Sequence, residues 1–204
     1  GATGSLIVNI NDNGSSVGWD EYPPELDISD GVRWDVTAAT KLGNLGFGYV
    51  SHAMDINNKG VIAGSGCAGS SMHAIRWNGT TATDIGTLGG SSSDAWGINE
   101  SGQIAGSAAI VNDDGIHATR WDGNTAVDLG TLGGTNSSAM DINELGQVVG
   151  SSSLAGDEVT HAVYWNTDGA ATDLGSLTGD SLAYNLNNLG QVVGWSTGLD
   201  GNSI

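Results

Sequence analysis

Short apolar runs alternate with turns rich in Gly, Asn and Asp along the whole chain. In the best-preserved stretch the runs cover residues 139–142, 147–150, 161–165 and 171–174. Each run is too short for a helix and is bounded by turn-forming residues, which is the pattern of β-strands. The chain is therefore predicted to be all-β, and we name the four runs of one unit strands A, B, C and D.

The same pattern returns at a nearly fixed interval. A phrase of the type Asp-Ile-Asn-x-x-Gly occurs five times, ending at Gly14, Gly60, Gly102, Gly146 and Gly190, so successive copies are 46, 42, 44 and 44 residues apart. A constant period of this length indicates an array of one supersecondary unit. We interpret the chain as a single repeat domain, 1–204, with units at about 6–45, 53–88, 95–132 and 139–177 and a half unit at 183–204.

An asparagine and a glycine are predicted to build the turn between strands A and B. The Asn side-chain oxygen can accept a hydrogen bond from a backbone N–H two residues further on, and the Gly supplies the left-handed conformation. The predicted structural turn residues are Asn11 and Gly14, Asn57 and Gly60, Asn99 and Gly102, Asn143 and Gly146, and Asn187 and Gly190.

A tryptophan near the end of strand C is predicted to form the core. The residues are Trp34, Trp77, Trp121 and Trp165, at intervals of 43, 44 and 44. A four-stranded meander cannot bury both of its faces alone, so neighbouring units must stack. Four-stranded units of this length are typical of β-propeller blades. We predict a β-propeller that is open or incomplete, with an elongated stack of small β-sheets as the alternative.

Charge narrows the range of partners. The chain has 23 Asp and Glu against five Lys and Arg, a formal net charge of −18, and no long apolar run. Nucleic-acid backbones and anionic membranes attract clustered Lys and Arg, and a membrane span needs about 18 apolar residues, so we expect neither partner. The single Cys67 excludes an internal disulfide framework, which leaves a free thiol or a bridge to something outside this sequence.

Catalytic patterns are absent from the sequence. We find no nucleophile with a partnered base, no paired carboxylates and no phosphate-binding glycine loop outside the repeated framework. His73, His117 and His161 occupy the same position in three units, so they should lie one sheet apart and make structural hydrogen bonds, whereas His52 has no assigned partner. We therefore expect a protein that is not an enzyme and has no cofactor.

Calcium is a weak alternative for the A–B turns. Calcium loops carry oxygen-bearing side chains at alternate positions before a glycine. Only Asn9, Asn11 and Asn13 keep that pattern, and they are uncharged. Ordinary turn chemistry is the preferred interpretation.

The B–C loops vary in length and charge, which makes them the candidate partner-binding surface. Loops on a rigid scaffold often carry recognition. The candidate residues are Trp19, Asp20, Glu21, Tyr22, Asp113, Asp114, Asp157 and Glu158. A solvated acidic rim is the alternative interpretation, and a cation, a glycan or a protein are the partners we consider.

Three phrases carry a resemblance to a known family. They are best preserved at residues 139–150, at His161-Ala-x-x-Trp165 and at residues 128–134. Together they resemble the HAF repeats of probable extracellular proteins. The resemblance covers nearly the whole chain and implies a secreted or surface-attached β-propeller with no catalytic residues. The first unit departs most, because it lacks the His and has Lys41 in place of Asp.

We therefore expect an extracellular or cell-surface structural or adhesive protein. It could assemble into filaments or a surface layer through open strand edges, as a segment of a longer array or as a protomer that shares strands with a neighbour. A propeller module that binds a glycan or a protein through its B–C loops is the second hypothesis. A glycosidase-like propeller enzyme is the third.

Overall fold

Four four-stranded sheets and one hairpin make up the described part of the chain. The structure, a computed structural model, describes residues 2–23, 26, 28–47 and 50–198, so the last residues of the predicted half unit lie outside it. Sheet 1 contains β1 Gly4–Ile10, β2 Ser16–Glu21, β3 Ser29–Asp35 and β4 Ala38–Lys41. Sheet 2 contains β5 Ser51–Ile56, β6 Val61–Ala68, β7 Ser71–Asn78 and β8 Thr81–Asp84.

The remaining sheets follow in chain order. Sheet 3 contains β9 Gly89–Ile98, β10 Ile104–Ile110, β11 Ile116–Asp122 and β12 Thr125–Asp128, with a short 3₁₀ turn at Val111–Asp113. Sheet 4 contains β13 Gly133–Ile142, β14 Val148–Leu154, β15 Thr160–Trp165 and β16 Ala171–Gly175. The hairpin contains β17 Ser181–Leu186 and β18 Val192–Ser196.

Each sheet is an antiparallel meander in which every strand pairs with its sequence neighbour. The sheets stack in chain order, and the first strand of each later sheet, or of the hairpin, contacts the first three strands of the sheet before it. Among the described strands, none of sheet 1 pairs with the terminal hairpin. The predicted fold class is confirmed: the chain is an all-β, open array of blade-like sheets.

Strand A is longer in sheets 3 and 4 than the sequence pattern predicts. The unit limits predicted from the sequence, 53–88, 95–132 and 139–177, leave Gly89-Gly90 and Gly133-Gly134 between units, but these glycines begin β9 and β13. Gly89 and Gly133 have φ of +100° and +105°, and a Cβ on Gly90 would collide with the carbonyl oxygen of Ile110. The two glycines let strand A run close to strand B, which explains why they continue the sheet.

The apolar core lies between sheets. Trp77, Trp121 and Trp165 are fully buried, each against the sheet that precedes its own. Truncating a buried tryptophan to Ala typically costs about 3–5 kcal/mol, so these side chains dominate the interfaces. Trp34 differs from the prediction because it is partly exposed, since no described sheet covers its side of sheet 1.

Candidate functional site

The A–B turns form a continuous ladder of asparagines through all five units. Within each turn the side-chain oxygen accepts backbone N–H groups of the same turn, as Asn57 does from Lys59 and Val61. The side-chain N–H₂ donates to the backbone carbonyl of the equivalent Asn in the next unit, 3.0–3.1 Å away. Each Asn therefore closes its own turn and fixes the register of the next sheet.

Left-handed glycines complete these turns. Gly14, Gly60, Gly102, Gly146 and Gly190 have φ between +75° and +83°. In each case the glycine N–H donates to the carbonyl oxygen of the turn Asn. A residue with a side chain would be strained at this φ, so the left-handed backbone of the turn requires the glycine that ends each repeated phrase.

The three calcium candidates of the first unit are used in contacts with sheet 2. The Nδ2 group of Asn9 donates to Asp55, that of Asn11 to the carbonyl of Asn57, and that of Asn13 to the carbonyl of Asn58. Their amide groups thus point to the next unit rather than converge on one point. No group of three or more His, Cys, Asp or Glu suited to a metal ion occurs among the described residues.

Each repeated histidine bonds to an aspartate on the neighbouring strand. The Nδ1 atoms of His73, His117 and His161 lie 2.7–2.9 Å from Asp84, Asp128 and Asp173. The same aspartates accept the N–H of the glycine two residues later, which forms the turn after strand D. These pairs therefore brace the C–D edge of each sheet.

Two buried aspartates form a second row of contacts between sheets. Asp55 accepts hydrogen bonds from Asn9 in sheet 1, from its neighbour Ile56 and from Ile98 in sheet 3. Burial raises the pKa of Asp55 to about 6. Asp141 plays the same part between its own sheet and Leu186 of the hairpin, and burial raises its pKa as well.

Apolar repeat positions that are buried between sheets inside the stack are exposed at its two ends. Ile10 is 61% exposed, whereas the equivalent Ile56, Ile98, Ile142 and Leu186 are 4–7% exposed. Ile7, on the same side of sheet 1, is 56% exposed. We call the surface formed by Ile7, Ile10 and Trp34 the leading face.

The opposite surface shows the same contrast. Val193 of the hairpin is 63% exposed, although its equivalents Val17 and Val149 are fully buried. We call the outer side of the hairpin, around Val193, the trailing face. Leu174 of sheet 4 is 46% exposed as well, while the equivalent Leu42, Ile85 and Leu129 are at most 4% exposed, but it lies beside Val192, on the inner side of the hairpin.

The predicted partner-binding residues separate into two groups. Asp113 and Asp157 accept the backbone N–H groups of Ser91 and Thr135, so they brace strand A of their own sheets, and both have φ near +60°. Asp114 and Glu158 are exposed beside them, and Asp20 accepts a hydrogen bond from Ser5.

Trp19, Glu21 and Tyr22 line a groove of about 400 Å³ between sheets 1 and 2. The groove also contains Ser29 and His52, which the sequence pattern did not select. His52, to which the sequence assigns no partner, bonds to Ser29 through Nε2 at 2.8 Å, and its ring lies 4.5 Å from that of Trp19 at a tilt of 43°. A signal was present, because His52 aligns with Asp94 and Ser138 in the repeat and is thus unique to its unit.

Comparison with known proteins does not assign a function to the chain. No protein-family model matches the chain, and no curated protein is detectably similar to it. Within the described residues, none of the helical segments has the length and apolar character needed to cross a bilayer. The fold and contacts define an all-β repeat protein whose sheets are joined by side-chain ladders.

Proposed function

We propose that the chain is a non-catalytic structural repeat protein that self-associates head to tail through its leading and trailing faces. The observation that carries this proposal is the exposure of Ile10, since the same position is almost completely buried in every other unit. An apolar position that is buried by a neighbouring sheet in four units and exposed in the remaining unit marks a surface suited to one more sheet.

The hydrogen-bonding groups at the two faces are complementary. In the interior, each turn Asn carbonyl accepts one bond from its own Gly and one from the Asn side chain of the previous unit. Among the described residues, the Asn11 carbonyl has only the bond from Gly14. The Asn187 side chain has a partner for one of its two hydrogens, Gln191. Docking of a second copy would extend the ladder from Asn187 to Asn11 of that copy.

The register of such a contact follows from the existing interfaces. On the leading face Ile10, Ser16 and Trp34 lie opposite one another across β1, β2 and β3. Their equivalents Ile56, Ile62 and Trp77 form the buried face of sheet 2. The second copy is expected to use the same row of positions.

We further propose an extracellular or cell-surface location, with filaments or a layer as the assembled form. The resemblance of the repeated phrases to HAF repeats supports this location. The net charge of −18 supports a soluble surface around the stacking faces. Acidic side chains on different copies repel one another, so copies associate only where apolar contact outweighs this repulsion.

Sedimentation velocity of the chain over a wide concentration range tests the proposal. We expect species heavier than 20.6 kDa that grow with concentration. Ile10→Asp and Val193→Asp should each abolish the growth, because each puts a charge into one face. Val36→Asp is the matched control, since Val36 is 92% exposed outside both faces.

A mixture of the two interface variants gives the sharpest outcome. Each variant retains the face that the other has lost, so an equimolar mixture should form complexes of two chains and nothing larger. A wild-type chain that stays monomeric at all concentrations contradicts the proposal, as does assembly of Ile10→Asp equal to that of the wild type. Electron microscopy of the assembled wild type then distinguishes filaments from layers.

A further inference from the structure

A groove between sheets 1 and 2 differs from its counterpart between sheets 3 and 4. It occupies about 400 Å³ and is lined by Trp19, Glu21, Tyr22, Pro23, Ile28, Ser29, Val50 and His52. It lies where the end of β2 and the beginning of β3 meet the beginning of β5. This volume is within the range of small-molecule binding sites.

The repeat provides an internal comparison. A groove of about 440 Å³ lies at the corresponding place between sheets 3 and 4. By repeat position, Trp19, Val50 and His52 correspond there to Ser107, Asn136 and Ser138. The shared scaffold makes a groove at both places, but only the groove between sheets 1 and 2 has aromatic walls.

The aromatic wall is held in place. The ring of Trp19 lies 4.5 Å from that of His52, at 43°, and Nε1 of Trp19 donates to Glu21 at 3.4 Å. Ser29, which is buried, fixes the imidazole from the other side through Nε2. Because Trp19 and Tyr22 are only partly buried, their rings remain available to a ligand.

The charges around the groove are negative. Glu21 is part of its wall, and a hydrogen bond from Tyr22 to Asp30, together with the charges of Asp30 and Asp20, raises the pKa of Tyr22. Burial lowers the pKa of His52, which favours the uncharged imidazole. Lys41, the cation beside Asp30, is paired with that carboxylate at 2.6 Å. The groove thus combines aromatic faces with uncompensated carboxylate charge.

We propose that this groove binds an organic cation, a quaternary or alkylated amine, between the rings of Trp19 and Tyr22 and the carboxylate of Glu21. The face of an aromatic ring attracts a cation, and quaternary ammonium groups are the ligands for which this attraction is best established. Pro23, Ile28 and Val50 contact the alkyl groups, whose dehydration is favourable. The proposal is independent of self-association, because neither the leading nor the trailing face contributes to the groove.

Choline and its uncharged isostere 3,3-dimethylbutan-1-ol form a matched pair of probes, measured by isothermal titration calorimetry. The two molecules share their shape, so we expect choline to bind at least about tenfold more tightly if charge recognition operates. Raising the salt concentration should weaken choline binding, because exposed charges are screened. Equal binding of the two probes overturns the proposal, and so does binding of methyl glycosides in preference to choline.

Variants locate the binding to the groove. Trp19→Ala should abolish choline binding, and Glu21→Gln, an exposed substitution that leaves the fold intact, should weaken it severalfold. Trp96→Ala is the control, because Trp96 is 39% exposed and lies outside the groove. Choline binding that is unchanged in Glu21→Gln and in a folded Trp19→Ala contradicts the assignment.

Discussion

Lys41 lies 2.6 Å from Asp30, at the two positions where the other three complete sheets place an aspartate and a histidine. Asp30 aligns with His73, and Lys41 aligns with Asp84. The first unit therefore keeps the pair across strands C and D but exchanges the positions of the acid and the base. What looked in the sequence like a degenerate unit is a reversed pair.

This reversal predicts coupling between the two positions. Asp30→His and Lys41→Asp should each lower the free energy of unfolding by about 1 kcal/mol. The first variant places an imidazole beside the Lys41 ammonium, and the second places two carboxylates side by side. The double variant restores the arrangement of sheets 2 to 4 and should recover at least about half of the combined loss. Urea denaturation of the four proteins measures the coupling, and strictly additive losses would show that the pair is not energetically linked.

The asparagine ladder predicts an effect that depends on position in the stack. Asn99 is 1% exposed and donates to both Gln103 and Asn143. Asn99→Asp replaces these donors with an acceptor facing a carbonyl, and should cost about 2–3 kcal/mol. Asn187→Asp, at the exposed last rung, is the matched control and should cost less than about 0.5 kcal/mol. Equal losses in urea denaturation would argue against the ladder.

Gly97 is expected to resist substitution by an acid. It occupies the position of Asp55 and Asp141 in the unit between them, and a Cβ there would lie 3.3 Å from Oδ1 of Asp141. Gly97→Asp would place a third carboxylate in this buried row and should cost about 2 kcal/mol or more. Gly97→Asn has the same shape without the charge, so thermal unfolding of both variants separates steric from electrostatic loss; equal losses would assign the whole effect to shape.

The pKa of Asp55 predicts a pH dependence with a definite sign. Burial raises that pKa from 3.8 to about 6, so the folded state binds the proton more tightly than the unfolded state does. The Asp55 contribution must then favour folding as the pH falls from 7 towards 4, by about 1 kcal/mol between pH 7 and pH 5. Other acids titrate in the same range, and the lowered pKa values of Asp35, Asp157 and Asp173 act in the opposite direction, so the measured quantity is the difference between wild type and Asp55→Asn. A difference that does not change with pH would contradict the raised pKa.

Much of the fold could be predicted from the sequence because the repeat supplies the same signal several times. The left-handed glycine and the turn asparagine are local requirements, and they identify the A–B hairpin in every unit. The burial of Trp77, Trp121 and Trp165 follows from their repetition and from the need of each four-stranded sheet to cover its faces. The limits of strand A could not be predicted, because Gly89 and Gly90 owe their place to the approach of strand B, a contact between segments about 20 residues apart.

The candidate site could be predicted only in part. The variable B–C loop of the first unit predicts Trp19, Glu21 and Tyr22 as site residues, and the structure places them in one groove. Ser29 and His52 were not selected as site residues, since they come from different sheets and meet only when the sheets stack. The exposure of Ile10 was likewise hidden, because its sequence environment is the same as that of its buried counterparts.

Within the described part of the chain, each sheet packs on the sheets directly before and after it, and this has a consequence for the gene. The surface that sheet 3 offers to sheet 4 uses the same positions as the surface that sheet 2 offers to sheet 3. Removal of one period, such as residues 103–146, would join Gly102 directly to Gln147 in phase with the turn. Duplication or loss of such segments can therefore change the length of the protein in whole steps without a new interface having to evolve.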